Sequence, residues 1–237
     1  MGLLETYKKS IDLVKNHIAE SLIYGALFYI LWKSLFLLPI IGAFLFSYFY
    51  PRLIKWYYTK VTGENINPDY KIAFKSLLIP TLLMSLGIIV ILSILISILV
   101  NLSPNFANID EIGNISLQQL ISIGLSSFPI FTYVLLGTIV GIIIIIASGV
   151  VWLLLLYSIY GSILGKVNKL SIDVEKSFIL FAYWFIFNII AGIVLLIIGK
   201  IFSLIFPLFG SIIVLILNII VVYPTMNLIL LLRAKEF

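Results

Sequence analysis

Long apolar runs separated by short polar breaks make up almost the whole chain. Runs over about 20–38, 40–58, 77–100, 130–160, 178–199 and 208–232 are each long enough, at ~1.5 Å per helical residue, to cross a hydrocarbon layer of roughly 30 Å. The stretch Ser21–Tyr50 is too long for one ordinary crossing and short for two. Pro39 and Gly42 break it, so it reads as two short helices joined by a tight turn, with one long kinked helix as the alternative. Ahead of it, Leu4, Tyr7, Ile11, Val14 and Ile18 recur at spacings of three and four, while Glu5, Lys8, Lys9, Asp12 and Lys15 fall off that stripe. Residues 1–20 therefore read as an amphipathic N-terminal helix lying at the membrane interface.

Polar breaks order the remainder. Residues 59–76 hold Gly63, Asn67 and Pro68 at a turn, and a short helical lead-in follows over 69–76. Residues 101–129 form the longest stretch read as non-spanning. Ser116 and Gln119 there have capping-box spacing, and Leu117, Leu120, Ile121, Gly124 and Phe128 predict an uncharged amphipathic helix on the outer surface. Ser171, Asp173 and Glu175 suit the first turn of the fifth spanning helix.

Composition fits this reading. The 237 residues are 62% hydrophobic and 11% charged, with mean hydropathy +1.23, against about 45–50% apolar and 25% charged in soluble domains. Barrel strands would be short and alternating, whereas these runs are long and unbroken. The fold class expected is an all-α polytopic transmembrane bundle of about six spans, one integral membrane domain over 1–237.

Charge sets the expected topology. With six spans, thirteen of the fifteen basic residues fall on one side, leaving Lys33 and Lys200 towards the other. By the positive-inside rule that basic side is cytoplasmic and holds both termini, in a multi-pass protein of the plasma membrane. One kinked helix over 21–58 would put a basic cluster outside. The basic residues flank apolar spans, so lipids are the expected partners and nucleic acid is not. Asn101-Leu102-Ser103 and Asn114-Ile115-Ser116 are glycosylation sequons in the outer stretch, a pattern weak in so Asn- and Ser-rich a segment.

The chain echoes itself. Lys33 precedes Pro39 and Gly42 as Lys200 precedes Pro207 and Gly210, each pair a Pro-x-x-Gly helix turn. Tyr50-Pro51 matches Tyr223-Pro224, and the inner segments run alike through Gly63 and through Gly165. A two-fold internal repeat is expected, although the element orders of the two halves differ.

Groups for catalysis are scarce. There is one histidine, His17, on the polar side of the first helix, and no cysteine. No acidic residue lies in an expected span, so proton or sodium coupling and carboxylate chemistry lack their usual groups. Neither catalytic residues nor a metal or cofactor site are expected. Lys33 and Lys200 are expected at lipid head groups by snorkelling, with a shared anion site as the sharper alternative. Gly137 and Gly141 on the fourth span, Gly161 and Gly165, and Ser93 and Ser97 have small-xxx-small spacing, read as internal packing before contact with a second copy. Asn188 and Asn218 are expected to hydrogen-bond between helices.

The segment Tyr50–Pro80, with Tyr-Pro-Arg-Leu-Ile-Lys, Gly-Glu-Asn-Ile-Asn-Pro-Asp-Tyr and Phe-Lys-Ser-Leu-Leu-Ile-Pro, resembles an uncharacterised polytopic membrane family of archaea called domain of unknown function 4013. Gly165–Ser171 and Glu175–Phe178 are similar to that family's second cytoplasmic turn. Asn67-Pro68 stands where Leu-Pro is usual, and Asp173–Phe178 replaces an Ala-Phe-Asp type sequence. The resemblance implies architecture and an archaeal origin, and no function. The expected role is a non-enzymatic membrane component that packs against itself or another membrane protein in a membrane or envelope complex. A transporter or channel for a small or lipid-like solute is the alternative.

Overall fold

The computed structural model describes residues 2–106, 117–204 and 207–237, and these form no strand. The helices are α1 (Leu3–Asn16), α2 (Ile18–Leu37), α3 (Pro39–Thr62), α4 (Tyr70–Phe106), α5 (Leu117–Ile163), α6 (Val174–Ser203), α7 (Pro207–Leu217) and α8 (Tyr223–Lys235). A five-residue π turn, Asn218–Val222, joins α7 to α8, so the expected sixth span is one continuous helical rod.

The turns after α3 and α5 are built alike. Gly63 and Gly165 end α3 and α5 in the left-handed region, at φ 71° and 73°, where a Cβ is strained. An aspartate then starts the next helix. Asp69 Oδ1 accepts from the N–H groups of Lys71 and Ile72 at 3.1 Å, and Asp173 Oδ1 accepts from that of Lys176 at 3.1 Å. That bond to Lys176 holds the Asp173 carboxyl below the usual carboxylate range.

The two turns also meet. The Asp69 N–H donates to the Ser162 carbonyl at 2.8 Å, and a Cβ on Gly165 would stand 2.3 Å from the Asn67 carbonyl oxygen. The C-terminal segment joins them through a Lys235–Glu64 ion pair at 2.5 Å and a bond from Lys166 Nζ to the Lys235 carbonyl. Lys9 of α1 lines a cleft beside that ion pair. One end of the bundle thus gathers both of these turns, the C-terminal segment and α1.

Among the described residues five helical segments, not six, are long and apolar enough to cross a membrane: Ile18–Leu37, Tyr70–Ser97, Val134–Ile163, Val174–Ser203 and Leu208–Lys235. The missing one is α3. It is an antiparallel partner of α2, with Gly42 against the Ser34 backbone at one end and Tyr57 Oη 2.8 Å from Ser21 Oγ at the other. Its second half carries Arg52, Lys55 and Lys60. The uncharged part, Pro39–Pro51, is only ~20 Å long. The Pro39 carbonyl accepts from Ser85 Oγ at 2.6 Å, so the hairpin tip lies beside the middle of α4.

Two expected boundaries vanish. The lead-in over 69–76 and the third span are a single helix, α4, which continues to Phe106 and includes Asn101. The helix expected over 117–128 is present but runs straight into the fourth span as α5, 47 residues without a stop. Gly124 and Pro129 fall inside it, and one prolyl position removes one ladder bond, which long apolar helices tolerate. Asn114 lies outside the described residues.

The N-terminal apolar stripe divides. Tyr7 and Val14 are buried with Thr6 and Ser10, whereas Leu4, Ile11 and Ile18 are exposed. The small hydroxyl residues allow close approach, and each satisfies its own hydroxyl four residues back, Thr6 on the Gly2 carbonyl at 3.0 Å and Ser10 on that of Thr6 at 2.8 Å. Tyr7 Oη donates to the Tyr183 carbonyl at 2.6 Å, fastening α1 to α6.

A buried tyrosine–asparagine cluster

Where α3, α5 and α8 meet, three side chains close a ring. Tyr50 and Tyr160 hydroxyls lie 2.8 Å apart, Tyr160 donates to Asn227 Oδ1 at 2.8 Å, and Tyr50 makes a short bond to the same oxygen. All three residues are buried, Asn227 completely. Asn227 Nδ2 donates to the Tyr223 carbonyl one turn back at 2.9 Å, which turns Oδ1 towards the tyrosines. Two hydroxyl protons serve three contacts, so the ring closes only by sharing them.

An aromatic layer adjoins the ring. Tyr24 of α2 stacks on Tyr57 of α3 with centroids 4.4 Å apart, and Phe28 meets Tyr223 at 5.0 Å and Tyr50 at 5.7 Å. The hydroxyls of Tyr24 and of Thr225 are buried and find no hydrogen-bond partner among the described residues.

Buried serines tie the neighbouring helices. Ser47 meets Thr81 across α3 and α4 at 3.1 Å, and Ser76 meets Ser158 across α4 and α5 at 3.1 Å. Ser148 donates to the Pro80 carbonyl at 2.8 Å, and Ser177 donates to that of Leu154 at 3.1 Å. A hydroxyl that bonds a neighbouring helix leaves no orphan group in hydrocarbon and lets the backbones approach. Sequence reasoning missed these serines and Asn227, which sits six residues from Arg233, at the expected span boundary.

The residues singled out from sequence lie elsewhere. Asn188 and Asn218 do not bond between helices: each Nδ2 turns back on its own helix, to the carbonyls of Trp184 at 2.7 Å and Val214 at 2.9 Å. Both are only half-buried, so a local carbonyl is the nearest acceptor. Gly137 and Gly141 face α4, where added Cβ atoms would meet Ile94 at 2.6 Å and Ile91 at 2.7 Å. Gly161 makes room for Val167, and Ser93 is exposed. His17 lies in the break between α1 and α2, with Nδ1 3.9 Å from a Glu20 oxygen.

The two Pro-x-x-Gly turns share a construction. Gly42 abuts the Ser34 carbonyl and the Leu35 nitrogen; Gly210 abuts the Gly199 carbonyl and the Ser203 nitrogen. Pro39 and Pro207 each open the returning helix. Lys33 and Lys200 are exposed on different hairpins. Lys33 Nζ sits 5.4 Å from the Tyr29 ring and 5.9 Å from the Phe36 ring, a cation held between aromatic faces.

At the basic end a cleft of about 380 Å³ is lined by Lys9, Tyr58, Glu64 and Lys235. The Lys235 ammonium and the Tyr58 hydroxyl, both bonded to Glu64, hold its carboxyl below the usual carboxylate range.

These features define a class: a polytopic α-helical membrane protein with a neutral polar centre. Its particular relatives are not found by comparison, since no protein-family model, curated protein or solved structure matches the chain.

Proposed function

We propose that this chain is a non-enzymatic component of a membrane assembly, held with both termini on the cytoplasmic side, which docks another helix on α6. One observation carries the reading: only 6% of the most apolar stretch of α6 is buried, against 22–33% for the other four candidate spans. Phe185, Ile189, Ile193 and Leu196 are exposed along it. Gly192 lies among them, and a Cβ there would meet nothing within 4 Å. Glycine lowers helix propensity and is usual in membrane helices where another backbone comes close; Gly192 has the surface without the neighbour.

A photo-crosslinking residue at Gly192 is expected to give one discrete protein adduct in native membranes, and the same residue at Gly137, which faces α4, none. Lipid-only adducts at Gly192 would sink the docking reading.

Orientation is proposed from the basic end by the positive-inside rule. Because α2 and α3 return to the side they leave, the sidedness of the rest is the same whether that hairpin crosses or only enters the bilayer. The chain has no cysteine, so single cysteines report cleanly. Cysteine placed at Asn108 is expected to react with an impermeant thiol reagent from outside, and cysteine at Asn65 is not; the reverse labelling would overturn the orientation. Membership of the archaeal family is part of this proposal on the resembling residues alone. A transporter or channel is the second reading, favoured by the unpartnered hydroxyl of Tyr24 beside the polar ring.

A further inference from the structure

We infer that the hairpin of α2 and α3 is a site for one anionic phospholipid, its acyl chain between the two helices and its phosphate in a basic cup at the hairpin's base. An apolar groove of about 530 Å³ runs between Ile23, Leu27 and Ile30 of α2 and Phe49 and Leu53 of α3. It ends at Arg52 and Trp56, and the same two residues open a second hollow of about 240 Å³ lined by Lys55, Thr59, Lys60 and Asn65. Groove and cup are therefore continuous, apolar above and basic below. Residues 52, 55, 56, 59 and 60 repeat at helical spacing, so one face of α3 supplies nearly the whole cup.

The cup lacks its counter-charge. No carboxylate among the described residues lies within ion-pairing distance of Arg52, Lys55 or Lys60, and no acidic residue lines either hollow. Arg52 is held in place by its bond to the Tyr48 carbonyl and by the rings of Tyr48 and Tyr70, at 3.7 Å and 4.7 Å. The Thr59 hydroxyl is buried at the cup and has no hydrogen-bond partner among the described residues. Three cations, an idle hydroxyl and an amide side chain complement a phosphodiester, and the groove gives it a chain to hold. A lipid also explains why a helix with a basic lower half lies against the membrane, since its charges need an anion at the interface. The inference rests on the basic end facing a membrane surface, which the thiol labelling tests separately.

The test uses full-length protein in mild detergent with equimolar phosphatidylglycerol and phosphatidylcholine, bound lipid being counted by native mass spectrometry. The protein is expected to retain one phosphatidylglycerol in preference. The triple variant Arg52→Gln, Lys55→Gln, Lys60→Gln is expected to lose at least tenfold of it. The charge-matched variant Lys71→Gln, Lys75→Gln, Lys169→Gln, outside the cup, is expected to stay within twofold. Leu27→Trp, which fills the groove and keeps every charge, is expected to lose about fivefold. Equal loss from the two triple variants would reduce the site to bulk charge and overturn it, as would equal retention of phosphatidylcholine. Displacement by millimolar inorganic phosphate would assign the cup to a soluble anion, and an unaffected Leu27→Trp would remove the acyl groove.

Discussion

Gly25→Ala is expected to destabilise the isolated protein by about 3 kcal/mol, at the upper end of what overpacking costs. A Cβ at Gly25 would stand 1.7 Å from the Ile219 carbonyl oxygen, 2.7 Å from its carbon and 3.1 Å from its Cα. All three are backbone atoms, so no rotamer change relieves them. At Gly137 the near atoms are instead Ile94 side-chain carbons at 2.6 and 3.1 Å, which can turn away. The clash at Gly25 requires α2 to move off the rod of α7 and α8.

That close contact follows from Pro224. In the π turn the Tyr223 N–H bonds the Asn218 carbonyl, five residues back. Pro224 has no N–H to offer the next carbonyl in that register, Ile219. The carbonyl faces Gly25, and a Cα–H group at such close range is a weak but helpful contact. Gly192→Ala is the control: it meets nothing within 4 Å, and at an exposed helix site alanine is favoured by up to about 1 kcal/mol. Unfolding in mixed SDS micelles, followed by far-ultraviolet circular dichroism, is expected to move in opposite directions for the two variants. Equal midpoints for Gly25→Ala and wild type would mean that α2 and the π turn do not touch.

Much of this architecture was legible because lipid punishes unsatisfied backbone, so long apolar runs have one economical solution. The hairpin at Pro39 and Gly42 and the turns at Gly63 and Gly165 follow from residues with few conformational options, whereas the break at His17, inside the helix expected over 1–20, has no such residue to announce it. Element ends were less legible. Pro129 stands at the expected boundary between the outer helix and the fourth span, yet α5 passes through it. Arg52 and Lys55 sit at one end of the run 40–58, where an average over the run hides how short its uncharged part is.

The internal echoes divide in the same way. The paired hairpins set α3 against the rod of α7 and α8, whereas the paired glycine turns set α3 against α5. One duplication cannot satisfy both correspondences. Even Tyr-Pro takes two backbone forms, an α-helical interior at Pro51 and a π turn before Pro224. The echoes therefore read as local solutions reached twice: Pro opens a returning helix, and Gly closes one. Side-chain pairing was least legible. Asn188 and Asn218 lie deep in apolar runs and bond only carbonyls of their own helices, while Asn227 lies near the edge and joins three helices. Depth along a run does not say which face of the helix a residue occupies.

Asn227 gives the second large effect. Asn227→Leu is expected to cost about 2–3 kcal/mol, more than the ~0.6–2 kcal/mol of an average hydrogen bond between membrane helices. The excess comes from proton counting. With the amide gone, Tyr50 and Tyr160 can satisfy one hydroxyl proton between them, and the other is orphaned in a dry interior. Removing further polar groups should then restore stability. The triple variant Asn227→Leu, Tyr50→Phe, Tyr160→Phe is expected to fall within about 1 kcal/mol of wild type, because matched apolar replacement leaves nothing unsatisfied. Tyr50→Phe alone is expected to cost about 1 kcal/mol, since Tyr160 keeps its bond to Asn227. The same micelle titration reads all three. If the triple variant is less stable than Asn227→Leu, the ring stabilises through packing of the hydroxyls and not through their hydrogen bonds, and the polar centre loses the role given to it here.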